Sequence, residues 1–387
     1  MGNAAEIKEY DVIIIGGGPG GSCCALALKD TGLKVAVIDK SEFPRDKVCG
    51  ELMHRKTIET LTSIVPEFEE EFKKYPKTSV LKHTRMHYKG KSIVYDWVGE
   101  SYTCPRLEFD NFLLNRVKQE ANISVFTGTT PEKYTVAADS VTVTIKNSDI
   151  IFKCKLLIGA DGVNSVVAKQ LADKTLNRDH YLGAVRTYFS NITDLRSDTS
   201  EVFFNSKFHL NCLWVFPVQG KNNMANVGFG LLSSDISKKK INLKDAFYEY
   251  FKISPELGEK FKNAQQEGPL EGFGVSLGSA MGIVSGDRFM LIGDAASLTN
   301  PISGTGMGNA VVSGKLAADQ IKKCFEENNF SKEYMHQYDV ILEQNIYKDL
   351  IASYKAQRLF SKIPFILDIV FWLTRYEWIK KKVQRLV

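Results

Sequence analysis

Residues 10–39 constrain this chain more than any other stretch. Residues 10–15 (YDVIII) form a short β-branched apolar run, the pattern of a strand buried on both faces of a parallel sheet. Gly16-Gly17-Gly18-Pro19-Gly20-Gly21 follows, residues 22–29 (SCCALALK) read as helix, and residues 34–39 (KVAVID) are a second buried strand ending on an acid. Together they make one βαβ unit of about 30 residues. The Gly16-x-Gly18-x-x-Gly21 spacing lets the chain turn tightly and its backbone approach a pyrophosphate, which the following helix N-terminus then holds. Asp39 lies 23 residues after Gly16, where an acid would hydrogen-bond an adenosine ribose. The pattern predicts a dinucleotide site and leaves FAD and NAD both open.

The chain has 387 residues, enough for two or three domains. Residues 79–97 and 181–232 alternate β-formers with turns and read as antiparallel strands of a separate sheet. Residues 107–121 read as helix and 156–158 as a buried strand. From residue 290 a strand, a Gly-rich loop and a helix (311–325) follow, and the remainder is mostly helical. This order predicts an α/β fold in which a discontinuous Rossmann-like domain (1–75, 101–180 and 276–330) is interrupted by an antiparallel β-sheet substrate domain (76–100 and 181–275). A helical C-terminal segment (331–387) completes it. The cleft between the two domains is the expected substrate site.

Fifty basic against 45 acidic residues give a net charge of +5, too mild and too evenly spread for nucleic acid. The seven cysteines are odd in number, without metal-ligand or disulfide-framework spacing, so no metal site is expected and a reducing cytoplasm is the expected compartment. No secretory pattern opens the sequence, and Glu6 breaks the myristoylation motif that Met1-Gly2 begins. The longest apolar stretch, residues 363–373, is too short to span a bilayer and contains Asp368. Five basic residues follow it (Arg375, Lys380, Lys381, Lys382, Arg385). The first reading is a C-terminal helix packed on the body with a solvated Lys face; peripheral contact with an anionic membrane is the second.

Two later motifs bear on the cofactor. Residues 156–165 (LLIGADGVNS) end a strand in Asp161-Gly162, and residues 289–296 (FMLIGDAA) end another in Gly293-Asp294. With the N-terminal unit, they resemble the three motifs of the FAD-dependent family that includes p-hydroxybenzoate hydroxylase, geranylgeranyl reductases and flavin-dependent halogenases. The resemblance implies that Asp294 contacts the flavin ribityl chain, that Asp161 and Gly162 shape the pyrophosphate region, and that Arg106 contacts FAD. In residues 300–310 (NPISGTGMGNA), Pro301, Gly304 and Gly306 would let the backbone press against the flavin ring. A reduced flavin is anionic, and a helix N-terminus stabilises such charge by about 0.3–1 kcal/mol.

Within that family two segments resemble the geranylgeranyl reductase branch. One is residues 43–51 (FPRDKVCGE), where Cys49 is either a proton donor or substrate contact, or a small packing residue. The other is Leu213-Trp214-Val215-Phe216-Pro217 with residues 225–230 (ANVGFG) beyond it, which resembles the reductases' lipid-site motif and makes Trp214 and Phe216 substrate walls. Cys212 stands where those reductases carry an aromatic. His54 reads as structural. The resemblance implies a FAD-dependent oxidoreductase that reduces C=C bonds of an isoprenoid or other small apolar or lipid substrate by hydride transfer. The alternative is a monooxygenase or halogenase acting through a flavin C4a-oxygen adduct. Against tryptophan-type halogenation, the Trp-x-Trp-x-Ile-Pro pattern is broken at Cys212 and Phe216, and Lys77 and Lys82 lack a halogenase-like context. The reductant is NAD(P)H or another electron carrier, since one complete dinucleotide fingerprint is present and FAD would occupy it.

Overall fold

The computed structural model describes residues 6–208, 211–220, 222–279, 281–363, 365–374 and 376. Within them, a six-stranded sheet runs in the order Ser285–Gly286, Phe289–Leu291, Leu156–Gly159, Val12–Ile15, Val35–Ile38, Ile123–Phe126. Its ladders are parallel apart from the one with Ser285–Gly286. Every residue of Val12–Ile15 and Val35–Ile38 is buried, as cover on both faces of a parallel sheet requires. The first helix is Pro19–Leu26, beginning inside the glycine motif rather than at residue 22. Proline is well placed there, because the first N–H of a helix has no intrahelical partner to lose. A Cβ on Gly21 would stand 1.9 Å from the Gly16 carbonyl oxygen, so the turn cannot close this tightly with any other residue at 21. Helices Arg106–Val117 and Met307–Glu326 pack against this first helix.

A four-stranded sheet of Ile7–Glu9, Ile151–Cys154, Val141–Ile145 and Pro131–Val136 adjoins the first, its Phe152 ring 4.9 Å from Phe126. Sequence patterning does not mark it, because these strands are short and only six of their 18 residues are buried.

The large sheet has eight strands in the order Gln265–Ser276, Tyr181–Ser190, Ala225–Leu232, Cys212–Pro217, Thr199–Phe204, Ser79–Tyr88, Lys91–Thr103, Leu52–Met53. It is antiparallel except between Thr199–Phe204 and Ser79–Tyr88, which run parallel. That exception arises because the chain passes through the other two sheets between these strands, and a connection that long can return in either direction. Strand Lys91–Thr103 runs past the expected boundary at residue 100. One face of the sheet buries Val185, Phe203, Leu213, Val227 and Phe229 under Phe247, Tyr250 and Leu257 of helices Leu243–Ile253 and Pro255–Phe261. The other face is turned to the 46–51 segment.

Three helices, Lys332–Leu342, Lys348–Phe360 and Ile366–Leu373, follow. The last realises part of the apolar stretch and rests on the large sheet, with Phe371 5.4 Å from the Tyr88 ring. Asp368, which interrupts that stretch, accepts hydrogen bonds from Tyr88 (3.1 Å) and Lys89 (2.8 Å). Arg375, Lys380, Lys381, Lys382 and Arg385 lie outside the described residues, as do Met1 and Gly2. No helix among the described residues is long and apolar enough to cross a membrane.

His54 precedes helix Arg55–Thr62 and packs edge-on against Trp97, 5.1 Å between ring centroids. Burial pushes its imidazole down to about 4. An unfolded histidine takes up its proton near 6.5, so the unfolded state binds more protons between about 6.5 and 4 and stability falls as pH drops through that window. His54→Phe should therefore narrow the difference in Tm between pH 7 and pH 5. An unchanged difference would place the acid sensitivity elsewhere.

Candidate active site

At the nucleotide end, the Gly17 amide donates to Asp39 Oδ2 (2.8 Å) and the Ser41 amide to Oδ1 (2.9 Å), fixing the acid at the loop tip. Arg45 Nη2 lies 3.9 Å from Asp39, and its Nη1 lies 3.0 Å from Asp110. Asp110 also takes a bidentate pair of hydrogen bonds from Arg106, both 2.6 Å, inside helix Arg106–Val117. Arg106 is thus buried in an ion cluster, and its backbone amide donates to Glu51 (3.2 Å).

Asp294 sits in the turn Gly293–Ala296, which follows strand Phe289–Leu291. Burial works against its charge, but Lys47 Nζ, 3.0 Å from Oδ2, together with Arg106 and Lys174, holds the carboxyl below its ordinary range. Lys174 donates to the Asp294 and Ala295 carbonyls, each at 3.0 Å, and burial lowers its ammonium to about 8. Gly306 is the N-cap of helix Met307–Glu326, and Gly18 that of Pro19–Leu26; neither helix carries a side-chain cap. Pro301 is buried, and Gly304, at φ +68°, has Leu182 of the large sheet 3.7 Å from where a Cβ would stand.

Asp161 points its carboxylate at its own chain, accepting from Ser165 Oγ (2.5 Å) and the Val166 amide (2.6 Å), while burial pushes its pKa up. What it leaves accessible is backbone at Gly162, whose φ is +78° and beside which a Cβ would meet nothing within 4 Å. The whole donor set fits FAD: two helix N-termini without side-chain caps suit a pyrophosphate and an anionic ring. Asp39 would hold the ribose, with Lys47, Arg106 and Lys174 supplying positive charge between them.

The far end is built by strand register. One row across the large sheet reads Arg186, Gly228, Trp214, Val202, Met86, Ile93. A Cβ on Gly228 would stand 2.1 Å from the Trp214 ring, so glycine is what lets the indole lie flat across the neighbouring strand. The next row places Tyr188, Asn226 and Phe216 side by side. Asn226 accepts from Trp214 Nε1 (2.9 Å) and donates to the Cys49 carbonyl (2.8 Å), while Gly50 lies against Trp214 and Phe216. Cys49, Trp214 and Phe216 therefore form one cluster, with Cys49 Sγ accepting from the Glu51 amide at 3.3 Å. Lys77 and Lys82 are both exposed.

Four residues given no role from sequence complete this cluster. Asp46 pairs with Arg186 (3.0 Å), Tyr188 donates to Glu51 (2.5 Å), and Glu51 itself is fully buried. The signal for Asp46 and Glu51 lay in the 43–51 segment, but their partners Arg186 and Tyr188 are more than 130 positions away in sequence.

The FAD binding domain family matches residues 9–321. This chain belongs to that family. It is an FAD-dependent oxidoreductase. A digeranylgeranylglycerophospholipid reductase of Methanococcus vannielii is 28% identical to it over 363 residues, covering 92% of this chain and 88% of the relative. A 1H-pyrrole-2-carbonyl-[peptidyl-carrier protein] chlorinase of Pseudomonas fluorescens is 25% identical over 393 residues, covering 93% and 86%. Among solved structures, a geranylgeranyl bacteriochlorophyll reductase-like protein from Thermoplasma acidophilum superposes with a TM-score of 0.81 at 25% identity, covering 94% of this chain and 91% of its own.

In this flavoprotein Asp294→Ala should yield protein with little bound flavin, read from the visible absorbance after desalting; full flavin content would remove Asp294 from the cofactor site. Cys49→Ala should keep its flavin and lose turnover, and unchanged turnover would reduce Cys49 to packing.

Proposed function

We propose that this flavoprotein reduces carbon–carbon double bonds in the isoprenoid chain of a lipid. The observation that carries the reading is the apolar row from Trp214 through Val202 and Met86 to Ile93, each half-buried and on the sheet face turned to Cys49 and Gly50. At about 4.8 Å per strand the row is ~14 Å long, the reach of an extended hydrocarbon rather than of a single ring. It begins beside the cofactor-binding residues and ends near Tyr88, on which helix Ile366–Leu373 rests. The reductases among the relatives support the same reading. Bound and reduced, FAD supplies the hydride. The chain's own contribution is to hold the alkene along this row, exclude water with Trp214 and Phe216, and provide a proton.

The reading includes the way such a substrate reaches the cleft. Phe365, Ile369 and Trp372 are exposed around the helix that rests at the end of the row, and the basic residues 380–382 follow in sequence. An apolar face beside a basic segment docks on anionic lipid, so the row would open toward the membrane that holds its substrate.

Two measurements test these points. Protein reduced by dithionite under anaerobic conditions should have its flavin reoxidised by a digeranylgeranyl glycerophospholipid, with product two hydrogens heavier per bond reduced. If that lipid leaves the flavin reduced, and an oxygen adduct forms on mixing with air in the presence of an aromatic substrate, oxygenation or halogenation replaces reduction. In flotation assays the protein should bind phosphatidylserine-containing vesicles better than pure phosphatidylcholine, and Phe365→Ser with Ile369→Ser should weaken that binding. Equal absence from both vesicle types would remove the membrane from the reading.

A further inference from the structure

Saturating a C=C bond takes one hydride and one proton, and the proton must come from the chain or from water it positions. The largest unexplained group near the cleft is Glu51. Its side chain is fully buried, its backbone sits at φ +65°, a left-handed conformation uncommon for a non-glycine residue, and Oε2 has no hydrogen-bond partner. A buried carboxylate oxygen left unpaired is far costlier when charged than when it is the carbonyl of a neutral acid. Oε1 meets the Tyr188 hydroxyl at 2.5 Å, and Tyr188 lies on the cleft face next to Asn226, the residue that holds Cys49 and Trp214.

Resting on the reductase reading above, we propose that Tyr188 delivers the proton that completes alkene reduction and that Glu51, as a neutral acid behind it, replaces that proton. In the structure the Tyr188 hydroxyl donates to Oε1; with Glu51 neutral the same 2.5 Å contact can be made with Glu51 as donor, which frees the phenol's own O–H to point into the cleft. The hydride supplied by the reduced cofactor bonds to one alkene carbon and the Tyr188 proton to the other. Glu51 then reprotonates the phenolate, and one solvent proton restores Glu51. The net change is one alkene and one reduced flavin to one saturated bond and one oxidised flavin, with one proton taken from solvent.

Burial, with Glu51 beside it, pushes the Tyr188 hydroxyl up, so the phenol is protonated at working pH. Burial pushes the Glu51 carboxyl up, against the pull of Tyr188, Arg186, Asn226 and the Arg106 amide. From the strand Tyr181–Ser190, Arg186 stands 4.0 Å from Oε1, near enough to stabilise the transient carboxylate, but its charge is shared with Asp46 (3.0 Å) and, across the sheet, Glu271 (3.6 Å). From the helix Arg106–Val117, the Arg106 guanidinium is taken up by Asp110. Cys104 and Cys49 are the neighbouring thiols. In this scheme Tyr188 is the catalytic donor and Glu51 a positioning residue.

The test uses the FAD-loaded protein and two readouts. Infrared spectra at pH 7 should contain a protonated-carboxyl C=O band that Glu51→Gln removes and Tyr188→Phe retains; absence of such a band overturns the proposal whatever the substrate. In anaerobic reoxidation of dithionite-reduced protein by a digeranylgeranyl glycerophospholipid, both variants should keep their flavin and be slowed by about 10²–10⁴-fold, the usual worth of a positioned acid. The wild-type rate should fall as pH rises and Glu51 ionises, and Glu51→Gln should lack that limb. Variants that reoxidise at the wild-type rate with its pH profile overturn the relay and leave the reductase reading standing. Wild-type protein that is not reoxidised overturns the reductase reading, and the relay falls with it.

Discussion

The ion pair between Lys47 and Asp294 is the contact on which the arrangement of the site depends. It ties the 43–51 segment to the turn after strand Phe289–Leu291, while Asp46, one residue earlier, is tied to Arg186 on the next-to-edge strand of the large sheet. Adjacent residues of one short segment are thus anchored to two different parts of the fold, the turn Gly293–Ala296 and the large sheet. The backbone between them has no freedom to drift, so Cys49, Gly50 and Glu51 are delivered to the sheet face at a fixed position relative to Asp294. A half-buried pair of this kind owes its value to geometry: desolvating the charges costs much of what their attraction returns, but removing one partner would leave the other stranded.

Much of this was legible in the sequence, for a definable reason. The βαβ unit, the strand before Asp161 and the strand before Asp294 are continuous apolar runs interrupted by glycine, and local chemistry alone dictates their turns. Gly21 is the clearest case, since the clash it avoids lies five residues away in the chain. The substrate side was only half legible. Trp214 and Phe216 could be placed on the cleft by motif, yet the row that extends them, Val202, Met86 and Ile93, depends on strand order and register, which no window of sequence encodes. Glu51 was invisible as a buried acid because its burial is imposed by Tyr188 and Arg186, residues from another domain. Asp161 marks the opposite outcome: its motif is where the sequence put it, but its carboxylate is spent on its own helix.

The same architecture serves a reductase and a chlorinase among the relatives, and the structure indicates where such chemistries can diverge. The residues proposed to hold the cofactor are fixed by backbone turns and helix ends that tolerate little change. The sheet face is different: its rows project alternate side chains from strands whose ladder is held by backbone, so side chains there can change without disturbing the fold. Cys212 sits on that face, in the row with Phe204 and Tyr88. A small residue there keeps open the space that an aromatic would fill.

The parallel ladder between Ser79–Tyr88 and Thr199–Phe204 reaches beyond geometry, into how the chain must assemble. More than a hundred residues separate these strands, and that interval contributes strands to both of the other sheets. The helix that buttresses the first glycine loop comes from still later, with Gly314 packed on Gly20. Neither half can be completed from a contiguous stretch of chain, so loop-closure entropy is met before the long-range contacts that repay it. On the ribosome, a nascent chain shorter than about 326 residues would lack the helix Met307–Glu326 that closes the first turn. A flavin held by this loop would be taken up late in synthesis, after that helix has emerged.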